Sequence, residues 1–287
     1  MSKTKLILIG GAEDKTDRME VLSRVAREAS YENIVLIPSA SQYPKEIESQ
    51  YKEAFDKLGV KNFICLDIRY RDECDRDENF EIINKANLVF FSGGDQVKLV
   101  DTLKDTNLLN IIKNRYNNYE IIIAGTSAGA AAASKNMLYD GDYRGFIKGK
   151  VRNSLGFGFI NNVIIDTHFL NRERIPRLMN VLSQGLETKA IGIDEDTAIV
   201  IDTKDNFEVI GSGMVTILNS DEVTYNDFHE IKENQTININ NLKIGFLSRG
   251  SVFSLTRWCV IKPQNNVIKD SQTGIEDSLL ITPGIYI

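Results

Sequence analysis

The sequence predicts an α/β fold: a doubly wound, mostly parallel sheet flanked by helices, with a β-rich C-terminal extension. Three observations predict it. Short apolar runs rich in Ile, Leu and Val alternate with stretches of helical periodicity from residue 6 to residue 124. Several of these runs end in glycines or other small residues, as strand ends do when a site is built above them. Beyond residue 183 the helical stretches give way to short alternating runs separated by polar turns.

In order, 6–9 reads as a strand, 17–30 as an amphipathic helix, and 33–37 as a strand stopped by Pro38. A helix over 45–58 and a strand over 62–68 follow, then the polar stretch 69–78 and a short helix to Ala86. The next strand is 88–91, followed by helices over 96–103 and 108–117 and a strand over 120–124. The segment 137–159 holds five glycines and reads as loop. An apolar run over 163–165, a helix over 175–183 and strands over 190–193, 197–201, 207–210 and 214–218 complete the pattern. No linker, repeat or low-complexity tract interrupts it, so one continuous domain over 1–287 is expected, with an α/β core over 1–206 and a β-rich part over 207–287.

Composition narrows the function classes. With 42% hydrophobic and 26% charged residues, the chain has enough apolar side chains for a core and is not a disordered one. A net charge of −6 with the two signs interspersed argues against a nucleic-acid partner and against a polybasic membrane contact. No apolar stretch reaches membrane-spanning length, and 6–9 is too short for a signal-peptide core. Cys65, Cys74 and Cys259 form neither a metal spacing nor an even disulfide framework, which makes a reducing cytoplasm the expectation.

The chemistry concentrates at 121–131, where three isoleucines lead into Gly125-Thr-Ser-Ala-Gly129 and then alanines. A strand, a sharp turn and a helix would hold Ser127 at the tip with its hydroxyl exposed, and the amide of Ala128 could face a developing oxyanion. A serine nucleophile needs a base, and the chain has only two histidines. His168 ends the apolar run 163–167, whereas His229 has no such setting. The glycine pair Gly93-Gly94, closing the run 88–91, lets main-chain amides approach a substrate. No Walker ending and no full dinucleotide fingerprint is present, so a nucleotide is not expected. Arg172, Arg174 and Arg177 enter a helix started by Pro176, where guanidiniums suit carboxylates or pair with nearby acids. Asp194-Glu195-Asp196 could orient an imidazole, bind a cation or line a turn. The order serine, histidine, acid differs from that of the α/β-hydrolases.

Taken together, Gly10-Gly-Ala-Glu-Asp14, Ser92-Gly-Gly-Asp-Gln96, Gly125-Thr-Ser-Ala-Gly129, Asp166-Thr-His168-Phe with its arginines, and Gly192-Ile-Asp-Glu-Asp-Thr-Ala198 resemble the cyanophycinases. These serine-type peptidases are related to peptidase E and, more distantly, to the class I glutamine amidotransferase-like α/β proteins. The resemblance spans about two thirds of the chain or more. It implies hydrolysis of cyanophycin, a poly-aspartate backbone bearing arginine, to β-Asp-Arg dipeptides. It implies Ser127, His168 and Glu195 as the triad, and Ala128 with Gly93 or Gly94 as oxyanion donors. Gln96, Asp166, Thr167, Arg172, Arg174 and Arg177 fall at substrate-binding positions. Thr167 stands where cyanophycinases often carry glutamine. No metal or cofactor is implied, and a cytoplasmic homodimer is expected. A peptidase E-like exopeptidase acting on short aspartyl or isoaspartyl peptides is the alternative.

Overall fold

The computed structural model describes residues 3–141 and 144–262. The chain alternates as expected through β1 (Thr4–Ile9), α1 (Glu20–Glu28), β2 (Asn33–Ile37), α2 (Pro44–Lys57), β3 (Asn62–Cys65), α3 (Asp77–Lys85), β4 (Leu88–Phe91), α4 (Gln96–Leu103), α5 (Asn107–Asn117) and β5 (Ile122–Thr126). These five strands pair in parallel in the order β1-β5-β4-β2-β3, each return passing through helix. Residues of β1 alternate between the two faces. Leu6 and Leu8 pack with residues of α4 and α5, whereas Ile7 and Ile9 pack with α1 and α2. Burial on both faces explains why the strand sequences read as unbroken apolar runs.

The one-turn helix α6 (Ala128–Ala131) follows β5 directly. The stretch expected to be loop carries a hairpin instead, β6 (Asn136–Asp140) and β7 (Arg152–Leu155), paired antiparallel. Its glycines and lone polar residues hide the alternation that normally betrays strands. Next come β8 (Ile164–Thr167), α7 (Ile175–Ser183), β9 (Lys189–Ile193), β10 (Thr197–Asp202), β11 (Asn206–Gly211) and β12 (Val215–Asn219). The short pair β13 (Tyr225–Asn226) and β14 (Ile239–Asn240), then β15 (Lys243–Leu247), β16 (Val252–Ser254) and β17 (Cys259–Lys262), complete the described elements. The remainder of the expected β-rich part, 263–287, lies outside the described residues, as do 142–143 within the hairpin segment.

The later strands are divided between two sheets. β10, β11, β16 and β17 extend the parallel block antiparallel beyond β1, giving a nine-stranded sheet. A second sheet has the order β15-β12-β9-β8. The short turn between β9 and β10 therefore crosses from one sheet to the other. α7 packs against the second sheet, with Leu178, Val181 and Leu182 on Ile164, Phe169 and Ala190. Gly192 is required there because a Cβ would overlap the Phe169 ring. Among the described residues no helix is long and apolar enough to cross a membrane.

Phe90 is fully buried on the α1/α2 face, its ring 5.0 Å from Tyr51 and 6.2 Å from Phe55. Phe90→Ala is expected to lower the unfolding free energy by about 3–5 kcal/mol in urea denaturation, the cost of a large aromatic cavity.

Candidate active site

Ser127 occupies the turn between β5 and α6 with φ 49° and ψ −109°, a conformation a non-glycine residue adopts only under constraint. The turn can form because Gly125 and Gly129 abut: a Cβ on either would overlap backbone, that of Gly129 or that of Phe91. The Ser127 amide donates to the Ile9 carbonyl at 3.0 Å, which ties the turn to the end of β1. The following helix is a single turn, so the amide of Ala128, not a helix macrodipole, is what this side can offer a negative oxygen.

His168 follows β8 in a left-handed conformation, φ 48°, and its amide donates to the Gly10 carbonyl at 2.8 Å. Its ring lies over Gly11, where a Cβ would overlap the imidazole. His168 Nε2 is 2.8 Å from Ser127 Oγ, and Nδ1 is 2.7 Å from Glu195 Oε1. With Nδ1 protonated and donating to the carboxylate, Nε2 is the acceptor for the serine hydroxyl. Burial pulls the His168 pKa below the ordinary histidine value, a shift that the Glu195 hydrogen bond opposes and the positive field of Arg172 and Arg174 reinforces. The imidazole is therefore neutral and able to accept a proton at neutral pH.

The three acids between β9 and β10 have three different partners. Asp194 is buried and accepts from the amides of Leu170 (2.9 Å) and Met214 (3.1 Å). Glu195 reaches His168, and its own amide donates to Asn171 Oδ1 at 2.9 Å. Asp196 accepts from the Asp14 amide (3.0 Å) and the Ser212 hydroxyl (2.8 Å), while its amide donates to the Gly11 carbonyl (2.9 Å). Of the three, Glu195 is the one whose carboxylate meets the imidazole. Among the described residues no group of three or more His, Cys, Asp or Glu side chains could hold a metal ion.

The glycine pair also divides its work. A Cβ on Gly93 would sit 3.3 Å from Ser127 Cβ, so this residue flanks the serine. Gly94, at φ 140°, packs its Cα onto the Ala40 carbonyl and holds the turn. Gln96 donates through Nε2 to the carbonyls of Leu138 (3.1 Å) and Tyr139 (3.4 Å), securing the β6–β7 hairpin beside the site.

The residues expected to contact substrate separate by burial. Arg172 is exposed and Arg174 partly so. Asp166 and Arg177 do not present free groups: both are buried, and Arg177 donates to both Asp166 oxygens, through Nε at 2.7 Å and through Nη2, and to the Gly141 carbonyl at 2.8 Å. Asp166 also receives the Thr167 amide at 2.8 Å. Thr167 is buried, and its carbonyl accepts from Arg174 Nη1 at 2.6 Å. Asp166, Thr167 and Arg177 thus lie buried around an ion pair beneath the arginine segment, and a fully paired carboxylate–guanidinium unit is costly to open. Burial brings the Arg174 pKa down to about 10, still cationic at neutral pH.

Two residues of the site were missed by sequence reasoning. Glu13 and Asp14 stand in the stretch Gly10–Asp14, which carried part of the family resemblance without a role being assigned to either acid. An acid pair one residue beyond a strand-end glycine pair was the signal available. Asp14 accepts from the amides of residues 16 to 19, and these hydrogen bonds, the Asp17 amide first, hold its carboxyl well below the usual range.

The model of peptidase family S51 matches residues 6–209. A protein named cyanophycinase from Trichormus variabilis is 34% identical over 270 residues, covering 91% of this chain and 88% of its own length. Another of that name, from Geminocystis herdmanii, is 35% identical over 255 residues, covering 88% and 94% respectively. Among solved structures, a peptidase from an acI-B1 actinobacterium superposes with a TM-score of 0.63 at 26% identity, over 75% of this chain and 91% of that one.

Gly11→Ala is expected to displace the imidazole while leaving the distant core intact. Reaction of Ser127 with a fluorophosphonate should fall by about 100-fold, the scale for a 1 Å misplacement of a reacting group, with an unchanged far-UV circular dichroism spectrum.

Proposed function

This chain belongs to peptidase family S51 and is an enzyme of the serine-peptidase type, and from that premise we propose that it hydrolyses cyanophycin to β-Asp-Arg dipeptides through acylation of Ser127. The observation that carries the reading is the unbroken chain from Ser127 Oγ through His168 to Glu195, with contacts of 2.8 and 2.7 Å, in a protein similar along most of its length to proteins named cyanophycinase.

In this mechanism Ser127 Oγ attacks the backbone carbonyl as its proton passes to Nε2 of His168. Glu195 holds the tautomer and stabilises the imidazolium through Nδ1–H. The amides of Ala128 and of Gly93 or Gly94 receive the oxyanion. His168 then gives its proton to the departing amine, leaving an acyl-enzyme that water opens by the same steps in reverse. Arg172 and Arg174 form a cationic approach suited to the free carboxylates of the arginine substituents, and the net charge of −6 suits the pendant guanidiniums.

The test is clearing of an insoluble cyanophycin suspension, with mass spectrometry of the soluble products. Wild type should clear it to β-Asp-Arg. Ser127→Ala and His168→Ala should each reduce turnover by about 10⁶-fold, and Glu195→Gln by about 10⁴-fold, as for members of comparable triads. Clearing by Ser127→Ala would overturn the mechanism, and hydrolysis of short aspartyl peptides with the polymer untouched would overturn the substrate.

The pH profile follows from His168. Since its neutral form is the active one, kcat/KM should fall with acid around a midpoint below the ordinary histidine pKa of about 6.5. Arg172→Gln removes a positive neighbour and should move that midpoint up. Glu195→Gln removes the negative charge that raises the pKa and weakens the hydrogen bond to Nδ1–H, and should move it down.

A further inference from the structure

Glu13 is the most unusual polar residue outside the Ser127–His168–Glu195 chain. It is 3% exposed, and burying a carboxylate is costly unless it is fully paired. Its Oε2 accepts from Thr126 Oγ1 at 2.6 Å, and Thr126 immediately precedes Ser127. Its Oε1 accepts from the hydroxyl of Tyr51, on α2, and lies 3.3 Å from Lys15 Nζ. That ammonium also sits 4.8 Å from the centroid of the Tyr51 ring. Burial, with the charge of Glu13 added, keeps Tyr51 protonated and therefore a donor.

The loop this carboxylate pins is the one on which the rest of the site is hung. Its neighbours Ile9, Gly10 and Gly11 offer carbonyls to the amides of Ser127, His168 and Asp196 respectively, at 3.0, 2.8 and 2.9 Å. Gly11 also floors the imidazole. Those bonds fix where each chain segment arrives. The Glu13–Thr126 bond adds a side-chain tie between the loop and the strand that presents the serine hydroxyl.

We propose that Glu13 is a positioning residue that clamps loop 10–14 to the nucleophile-bearing strand, and that Lys15 neutralises it so that its charge does not oppose an oxyanion forming at Ser127. The inference rests on the reading of Ser127 as nucleophile and His168 as base. Glu13 touches no reacting atom; it acts through Thr126 and through the loop.

The experiment measures the rate of acylation by a small fluorophosphonate, per folded molecule, in the full chain. Its variants are Glu13→Ala, Glu13→Gln, Lys15→Met and the double variant Glu13→Gln/Lys15→Met, with Ser127→Ala as control. Glu13→Ala should slow labelling by about 100-fold, as expected for a reacting group displaced by an ångström. Glu13→Gln should recover most of that rate, because an amide keeps an acceptor for Thr126 or Tyr51 without the charge. Lys15→Met should be slow, and the double variant faster than Lys15→Met, since removing the carboxylate removes the uncompensated charge. A wild-type rate in Glu13→Ala, with labelling abolished by Ser127→Ala, would overturn the positioning role and leave the nucleophile standing. Labelling that survives Ser127→Ala would overturn both. Should Glu13→Ala fail to fold, Lys15→Met and the double variant carry the test: equal rates would overturn the proposal.

Discussion

The site depends on one short length of main chain, the end of β1 and the glycines that follow it. Three carbonyls in succession, those of Ile9, Gly10 and Gly11, accept from Ser127, His168 and Asp196. Three segments far apart in sequence are thereby brought to one edge and held to within a hydrogen-bond length of one another. The arrangement tolerates no side chain at its centre: a Cβ at Gly10 would overlap the Asp194 and Ile193 carbonyls, and one at Gly11 would overlap His168. Backbone bonds of this kind set position more tightly than side-chain contacts, because few rotatable bonds intervene.

Charge is distributed in the same economical way. Asp194 and Asp196 spend their oxygens on backbone amides and a hydroxyl, leaving Glu195 alone to meet the imidazole. Asp166 is neutralised by Arg177, and Glu13 is matched by Lys15, Tyr51 and Thr126. These acids therefore surround the site without competing for His168, and the imidazole remains neutral because its own burial outweighs the carboxylate beside it. Arg172, exposed beside this chain, adds a positive field that acts in the same direction as burial on the imidazole.

Much of the fold was legible because its parallel strands are buried on both faces. Asn33–Ile37, Leu88–Phe91, Gln96–Leu103 and Ile175–Ser183 stand where periodicity put them. The hairpin β6–β7 was not legible, since Asn136, Asp140, Arg152, Asn153 and Ser154 give it no clean alternation. Nor was the division of β8, β9, β12 and β15 into a second sheet, which sequence periodicity does not encode. In the site, motifs at strand ends singled out Ser127 and His168, whereas the choice of Glu195 among three consecutive acids came from the family resemblance and not from the local pattern. The part played by Glu13 was not, because a buried acid is read as an exposed one until its partners Tyr51 and Thr126, brought from α2 and β5, are seen around it.

By itself the sequence determined the alternation of strand and helix, the turn at Ser127 and the short menu of groups that could serve it, since each of these is a local consequence of periodicity, small residues and residue type. Tertiary structure decided which groups face which. It turned Asp166 and Arg177 inward onto each other, separated Asp194 and Asp196 from Glu195, and placed the imidazole over Gly11. The physical reason is that pairing and desolvation depend on distances across the fold, and Ser127, on the first sheet, meets His168 and Glu195 only where the second sheet turns back into the first.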